Sequence, residues 1–218
     1  MTNLPVRDSR RFADASAGSR DFIARHDLWD DDQRAAAAEL EGRLGELDLI
    51  RVAFCDPHGL ARSKTLTPSA FRSVLRNGMD FSPGPFIFDT GHHVAVDFFA
   101  SGGGLGIPEL TGAGDFIVVP EPGTFRLLPH TAGARVGWVI GDEYLRGGLP
   151  HPLSTRAALR RVCAELAKRD LEGVVGLEVE WYLTRMLAGD VGRQVGGFGV
   201  QGEPPPVEPV NGGYQFNL

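Results

Sequence analysis

Apolar residues recur along the chain in two rhythms, and each rhythm predicts a different element. Asp21 to Leu28 suits one short helix. Asp30, Asp31 and Asp32 then precede Gln33-Arg34-Ala35-Ala36-Ala37-Ala38-Glu39-Leu40-Glu41. Alanines favour helix and carboxylates complement the positive end of a helix dipole, so this acidic cluster predicts a helix start rather than a metal site. Leu49-Ile50-Arg51-Val52-Ala53-Phe54-Cys55 predicts a strand, and Asp56-Pro57-His58-Gly59 supplies turn chemistry. Ala61 to Thr67 returns as the second strand of a hairpin. Pro68 opens a helix over Ser69 to Arg76, which Asn77-Gly78 closes. Strand, turn, strand, helix is the opening of a β-grasp-like unit.

Between residues 79 and 115 glycine and proline accumulate, as in Phe81-Ser82-Pro83-Gly84-Pro85 and Gly102-Gly103-Gly104. Such a stretch predicts a long surface loop, and long loops in compact domains often carry function. Asp89, His92 and His93 lie within it. Neighbouring histidines point in different directions, so His92 and His93 are poor candidates to share one metal. His58, in a turn, reads first as a solvated or locally bonded ring. Asp115 to Pro120, Phe125 to Leu128 and Ala134 to Ile140 predict three further strands. Ser154 or Thr155 caps a helix over Arg156 to Lys168 whose apolar stripe is Leu159, Val162, Cys163 and Leu166.

Gly176-Leu177-Glu178-Val179-Glu180-Trp181-Tyr182-Leu183 alternates strictly. In a strand Glu178, Glu180 and Tyr182 share one face, with Leu177, Val179, Trp181 and Leu183 on the other. The ordinary reading is a half-buried strand with an acidic solvent face. The functional reading is a pair of carboxylates about 7 Å apart, hard oxygen ligands of the kind Mg²⁺ or Mn²⁺ prefers. Gly189 to Gly213 predicts loop, and the β-like run Tyr214 to Leu218 ends without a turn or cap, as if the sequence stopped inside an element.

The 218 residues are 42% hydrophobic and 23% charged, ordinary for a globular protein of one large or two small domains. A net charge of −6 with no basic block argues against a nucleic-acid partner. No apolar run approaches the roughly 18 residues of a membrane span. The N-terminus mixes Arg7, Arg10 and Arg11 with Asp8 and Asp14 and lacks an apolar signal core. Cys55 and Cys163 stand far apart without metal-ligand spacing, which predicts two small buried hydrophobes in a reducing compartment. These features predict a cytoplasmic protein without membrane contact.

Several pieces in order resemble the glutamine synthetase family from about residue 18 onward. They are Asp56-Pro57-His58-Gly59-Leu60-Ala61-Arg62-Ser63-Lys64, Gly114-Asp115-Phe116, Pro122-Gly123-Thr124-Phe125-Arg126-Leu127-Leu128-Pro129, Pro150-His151-Pro152 and Gly176 to Leu183. The style is closer to the γ-glutamylpolyamine synthetase-like branch than to the short nitrogen-assimilation enzymes. The resemblance implies an α+β chain in three parts. A polar N-terminus without period (1–18), which its own composition predicts to be disordered, precedes a β-grasp N-terminal domain with a helical lead-in (19–147). The beginning of a glutamine synthetase-type α/β catalytic domain (148–218) follows.

The activity so implied is ATP-dependent ligation of glutamate's γ-carboxylate to ammonia or an amine through γ-glutamyl phosphate. Mg²⁺ or Mn²⁺ would clamp the ATP phosphates. By motif, Glu178, Glu180, Glu208 and Gln215 fall on metal-binding positions, and Asp89 on the aspartate that reaches a neighbouring subunit's ammonium site. Gln215 departs from the pattern, since an amide is a poorer ligand than a carboxylate for a hard dication. The family's remaining metal histidine, glutamate-binding segment and phosphate-binding arginines have no counterpart in these residues. The expectation is therefore one part of a ring-forming homo-oligomeric enzyme, inactive and poorly soluble by itself. A non-catalytic relative that binds or regulates active subunits is the second reading. An α+β domain whose acidic strand takes another ligand is the third.

Overall fold

The computed structural model describes residues 21–91, 93–187 and 204–210. Its helices and strands are interspersed along an α+β chain whose main sheet is mixed, with both parallel and antiparallel pairs. The short helix α1 (Phe22–Arg25) precedes α2 (Asp31–Arg43). The acidic cluster caps α2 as expected. Asp30 accepts from the Gln33 amide, and the Gln33 side chain accepts from the Asp30 amide, a reciprocal capping box. β1 (Leu49–Cys55) and β2 (Ala61–Leu66) flank the predicted turn. In α3 (Pro68–Asn77), Thr67 caps the start, Pro68 occupies the first turn, and Gly78 at φ 68° ends it.

The loop-rich stretch contains β3 (Met79–Phe81), the single-turn α4 (Gly84–Ile87) and two 3-10 turns, Ser101–Gly104 and Pro108–Leu110, that the glycine count concealed. β4 (Phe116–Pro120), β5 (Arg126–Leu127) and β6 (Val136–Tyr144) complete the main sheet. Its order is β2-β1-β6-β4-β3, with β5 also on β6. β6 runs parallel to β1, with Val52 opposite Val139, and antiparallel to β4, with Val118 opposite Glu143. β6 continues four residues beyond the predicted strand, through Gly141-Asp142-Glu143-Tyr144.

Two compact units, each discontinuous in sequence, divide the described residues. In the first (residues to 54, 63–80 and 117–150), Ile50, Val52, Phe54, Phe71, Val118 and Val139 are all but inaccessible to solvent. Trp29 Nε1 donates to the Pro120 carbonyl at 3.0 Å, tying the approach to α2 to the end of β4. The second unit comprises 55–62, 81–116 and the chain from 151. It gathers aromatic rings: Phe86 stacks on His151 at 4.5 Å and 12°, and Phe116 lies 5.0 Å from Phe86 and 5.3 Å from His151.

α5 (Thr155–Ala167) forms with Ser154 as its cap, the side chain accepting from Ala157 at 3.1 Å. Its predicted apolar stripe is not buried among the described residues, with Leu159 and Val162 more than half exposed. Cys163 is exposed and Cys55 half-buried, so neither is the fully buried hydrophobe expected. The alternating run 176–183 is also not a strand. Residues 171–183 lie outside every sheet, and Leu177 is 90% exposed. Alternation alone does not make a strand; a neighbouring backbone must accept its ladder. Strand pairing occurs instead just beyond it, between β7 (Thr184–Met186) and β8 (Val207–Pro209), the latter inside the stretch 189–213 that its glycine and proline predict as loop. The segments 1–18 and 214–218 lie outside the described residues.

His151 is the one buried ionisable ring of the aromatic cluster. Its Nδ1 accepts from the Leu153 amide at 3.2 Å, and burial pushes its pKa from 6.5 down to about 4. The unfolded chain therefore binds this proton more tightly than the folded one. The neutral ring's contribution is complete above pH 6.5 and is lost as pH falls through that value toward 4. Urea denaturation from pH 7 to pH 4 should show a loss of up to about 3 kcal/mol that His151→Phe does not share. Identical slopes for the two proteins would refute it.

Candidate functional site

Two loops of the second unit carry the candidate chemistry, and a buried carboxylate shapes the first. Asp56 is fully buried at the end of β1. Its Oδ1 accepts from the backbone amides of His58 and Leu60, each at 2.9 Å, and its Oδ2 from Arg62 Nε at 2.7 Å. One carboxylate thus closes the turn and holds the guanidinium that follows it. Arg62 Nη2 is buried with no hydrogen-bond partner among the described residues. Turn chemistry was legible in Asp56-Pro57-His58-Gly59, but the Asp56–Arg62 pair was not. Asp56 followed six residues later by Arg62 was the available signal.

His58 links this turn to the second loop. Its Nε2 lies 2.7 Å from the Phe88 carbonyl. A carbonyl only accepts, so Nε2 carries the proton. The local ring expected for His58 is therefore a bridge between segments thirty residues apart. On the far side, Phe88 bridges Val94, Asp89 N donates to His93 O at 2.9 Å, and Ala95 N donates to Ile87 O at 2.7 Å. Asp89 stands at the tip of this narrow loop, with about half its side chain exposed.

Asp89 Oδ1 accepts from the amides of Gly91 and His93 at 2.8 and 2.9 Å, and Oδ2 lies 3.7 Å from His93 Nδ1. These contacts hold its carboxyl below the usual aspartate range. The His93 amide contributes most, opposed by partial desolvation, and the Gly91 amide and the charges of His93 and His58 add to it. A carboxylate so held is a weak base. It stays ionised to lower pH than an ordinary aspartate and suits a bound cation better than proton abstraction.

The four metal-binding candidates are differently placed. Glu178 and Glu180 are exposed in the irregular stretch before β7. Glu208 lies on β8 opposite Arg185, with Oε1 2.9 Å from Arg185 Nη1. Gln215 lies outside the described residues, as does His92. No three acidic, histidine or cysteine side chains converge into a metal cage among the described residues. A hard dication takes six or more oxygen ligands. Glu208, engaged by a guanidinium, and two solvent-facing glutamates do not by themselves fit one. Among the described residues no helix is long and apolar enough to cross a membrane.

No family model matches the chain. Two curated proteins do. A γ-glutamylanilide synthase of Acinetobacter sp is 32% identical over 204 residues, 91% of this chain and 40% of that protein. A type-1 glutamine synthetase 2 of Dictyostelium discoideum is 26% identical over 140 residues, 64% of this chain and 25% of that protein. The chain is a relative of the glutamine synthetase family. It spans well under half the length of these curated relatives. Among solved structures, a GmaS/ADP complex aligns at TM-score 0.43 and 21% identity over 62% of this chain and 26% of that one. Apo GmaS without ligand aligns at 0.43 and 25% identity over 60% and 26%.

For this glutamine synthetase relative, the buried carboxylate is the element of the site most open to test. Asp56→Ala leaves the Arg62 guanidinium without its counter-ion and two backbone amides without an acceptor. Urea unfolding should show a loss of about 2–4 kcal/mol, with the double change Asp56→Ala/Arg62→Leu recovering part of it. A single change costing less than about 1 kcal/mol would show that the pair contributes no more than an exposed one.

Proposed function

We propose that this chain is part of an ATP-dependent γ-glutamyl ligase that joins glutamate to ammonia or an amine. The observation that carries this reading is the 32% identity, across nine-tenths of the chain, to a protein named γ-glutamylanilide synthase. In the proposed reaction an oxygen of the γ-carboxylate attacks the terminal phosphorus of ATP and ADP leaves. The amine nitrogen then attacks the acyl carbon of γ-glutamyl phosphate, phosphate leaves, and the nitrogen gives up a proton. Asp89 is assigned to the amine side. A solvent-facing carboxylate that stays ionised attracts ammonium or a protonated amine.

Within this reading Glu178, Glu180, Glu208 and Gln215 are assigned to Mg²⁺ or Mn²⁺. The metal would supply charge neutralisation of the ATP phosphates. Residues beyond the described set must complete that site, and Glu208 must exchange Arg185 for the ion. The β-grasp character of residues 19–147, the start of a catalytic domain at 148, the ring-shaped homo-oligomer and the cytoplasmic setting belong to the same proposal. So does a role in nitrogen metabolism through glutamine or γ-glutamylamide formation. One observation favours the second reading, a non-catalytic relative that binds active subunits. The candidate metal set contains the amide Gln215 and a glutamate already paired with arginine.

The test compares these 218 residues with the whole product of their natural reading frame. Glutamate-dependent release of ADP is followed with ammonia, a polyamine and aniline as acceptors. The whole product should turn over with at least one amine, and the 218 residues should not rise above background. In the active protein, Asp89→Asn should raise the KM for the amine by about tenfold or more, since an amide keeps the shape but loses the charge. A whole product inert with every amine would favour the non-catalytic reading. Substantial turnover by the 218 residues would overturn the assignment of an incomplete site.

A further inference from the structure

The first unit contains a cleft that none of these functional assignments uses. It is about 250 Å³ in volume and lies between α2 and the 3-10 turn Pro122–Thr124 leading into β5. Such a volume is below the roughly 300–1,000 Å³ of drug-sized ligand sites, so its occupant is small. One wall is apolar, formed by Leu40 of α2 together with Pro122 and the ring of Phe125. The ring is fixed from beneath. A Cβ at position 137 of β6 would lie 2.5 Å from it, so Gly137 is what lets Phe125 lie against the sheet.

The other wall is cationic. Arg43 lies with its guanidinium carbon 5.7 Å from the centre of the Phe125 ring. Its carboxylate neighbours are distant, Glu39 at 3.8 Å and Glu46 at 3.9 Å, and all three side chains are about half exposed or more. Arg126 makes no ion pair among the described residues. Its Nη1 donates to the Phe125 carbonyl at 2.6 Å and, more weakly, to the Gly123 carbonyl at 3.4 Å. Two guanidiniums thus face one small cleft with only Glu39 lining it as a counter-charge. Arginine forks match carboxylate and phosphate oxygens, and an aromatic wall beside them accepts an apolar body.

We propose that this cleft binds a small organic oxyanion, a carboxylate or phosphate carried on a single ring or short apolar chain. The oxyanion sits between Arg43 and Arg126 and displaces the long contact to Glu39, and the apolar body lies against Phe125 and Leu40. The site draws on none of Asp89, Glu178, Glu180, Glu208 or Gln215.

Phenyl phosphate, benzoate and the neutral benzyl alcohol are the probes, titrated into the whole 218-residue chain by calorimetry. At least one anion should bind with a dissociation constant below about 1 mM, and the tighter of the two identifies the headgroup. Raising salt from about 50 to about 500 mM should weaken it several-fold, because the cleft is open to solvent. Arg126→Gln should weaken it by about fivefold or more, whereas Glu39→Gln should strengthen it about two- to threefold. Opposite responses from two exposed positions cannot arise from a general loss of fold, and the salt and benzyl alcohol arms need no variant. Equal binding of benzyl alcohol and the anions, no binding of either anion below about 5 mM, or indifference to both substitutions overturns the proposal.

Discussion

Everything in the first unit rests on β6 having its backbone satisfied along both edges. Parallel pairing with β1 takes one edge, while β4 and β5 share the antiparallel pairings. A strand so enclosed must be narrow where its neighbours press closest. Gly137 and Gly141 meet that condition, since a Cβ at 141 would lie 2.4 Å from the Val118 side chain. Val136 and Val139 then fill the interior, with Val139 inaccessible to solvent. The parallel β1–β6 pair also dictates topology. Two parallel strands cannot be joined by a tight turn, so the chain between them must leave the sheet and return. The chain from 56 to 135 adds the sheet's other strands and includes the DPHG turn and the Asp89 loop, while the metal candidates lie beyond α5.

Local chemistry with one outcome was legible in the sequence. Asp30 and Gln33 make a capping box whatever surrounds them, and Thr67-Pro68 with Gly78 bracket α3 by backbone preference alone. β1 and its turn were legible for the same reason. What escaped depended on partners distant in sequence. Gly141-Asp142-Glu143 has turn composition, yet it is buried strand because β4 lies beside it. Pro150-His151-Pro152 reads as linker, yet His151 is buried against Phe86 and Phe116, rings contributed by residues 35 or more positions away. In the site, the turn at Asp56 could be read and its clasp on Arg62 could not. Nor could the reach of His58 to Phe88, because a bridge of thirty residues leaves no local signature.

The two carboxylates of the second unit's loops illustrate how environment separates roles. Asp56 is inaccessible and spends its oxygens on two amides and one guanidinium, so it organises backbone and presents nothing to a ligand. Asp89 uses chiefly one oxygen on the amides of its own loop and leaves the other toward His93 and solvent. The same residue type is structural in one place and available in the other. The distinction lies in how many lone pairs the fold consumes. His58 connects the two, since the turn that Asp56 closes is the turn that positions the ring on the Phe88 carbonyl. Disturbance of the buried carboxylate would therefore reach the exposed one through a single hydrogen bond.

The stretch from α5 to β7 poses the opposite problem, a sequence encoding burial that the described residues do not supply. Leu159 and Val162 on α5, and Leu177 and Val179 beyond it, are all more than half exposed. Their spacing is helical in the first case and alternating in the second. In a strand, Glu178 and Glu180 point away from Leu177, Val179 and Trp181 by the geometry of the pleat. Whatever covers the apolar side would fix the two carboxylates on the other. Under the proposed reading, forming the metal site and burying this segment are then one event rather than two. Such coupling is ordinary for metal sites whose ligands are not preorganised, where binding free energy and folding free energy are the same quantity. Glu208 follows the same logic from β8. Its bond to Arg185 spans the backbone-paired strands, and an ion entering there must outcompete a guanidinium already 2.9 Å away.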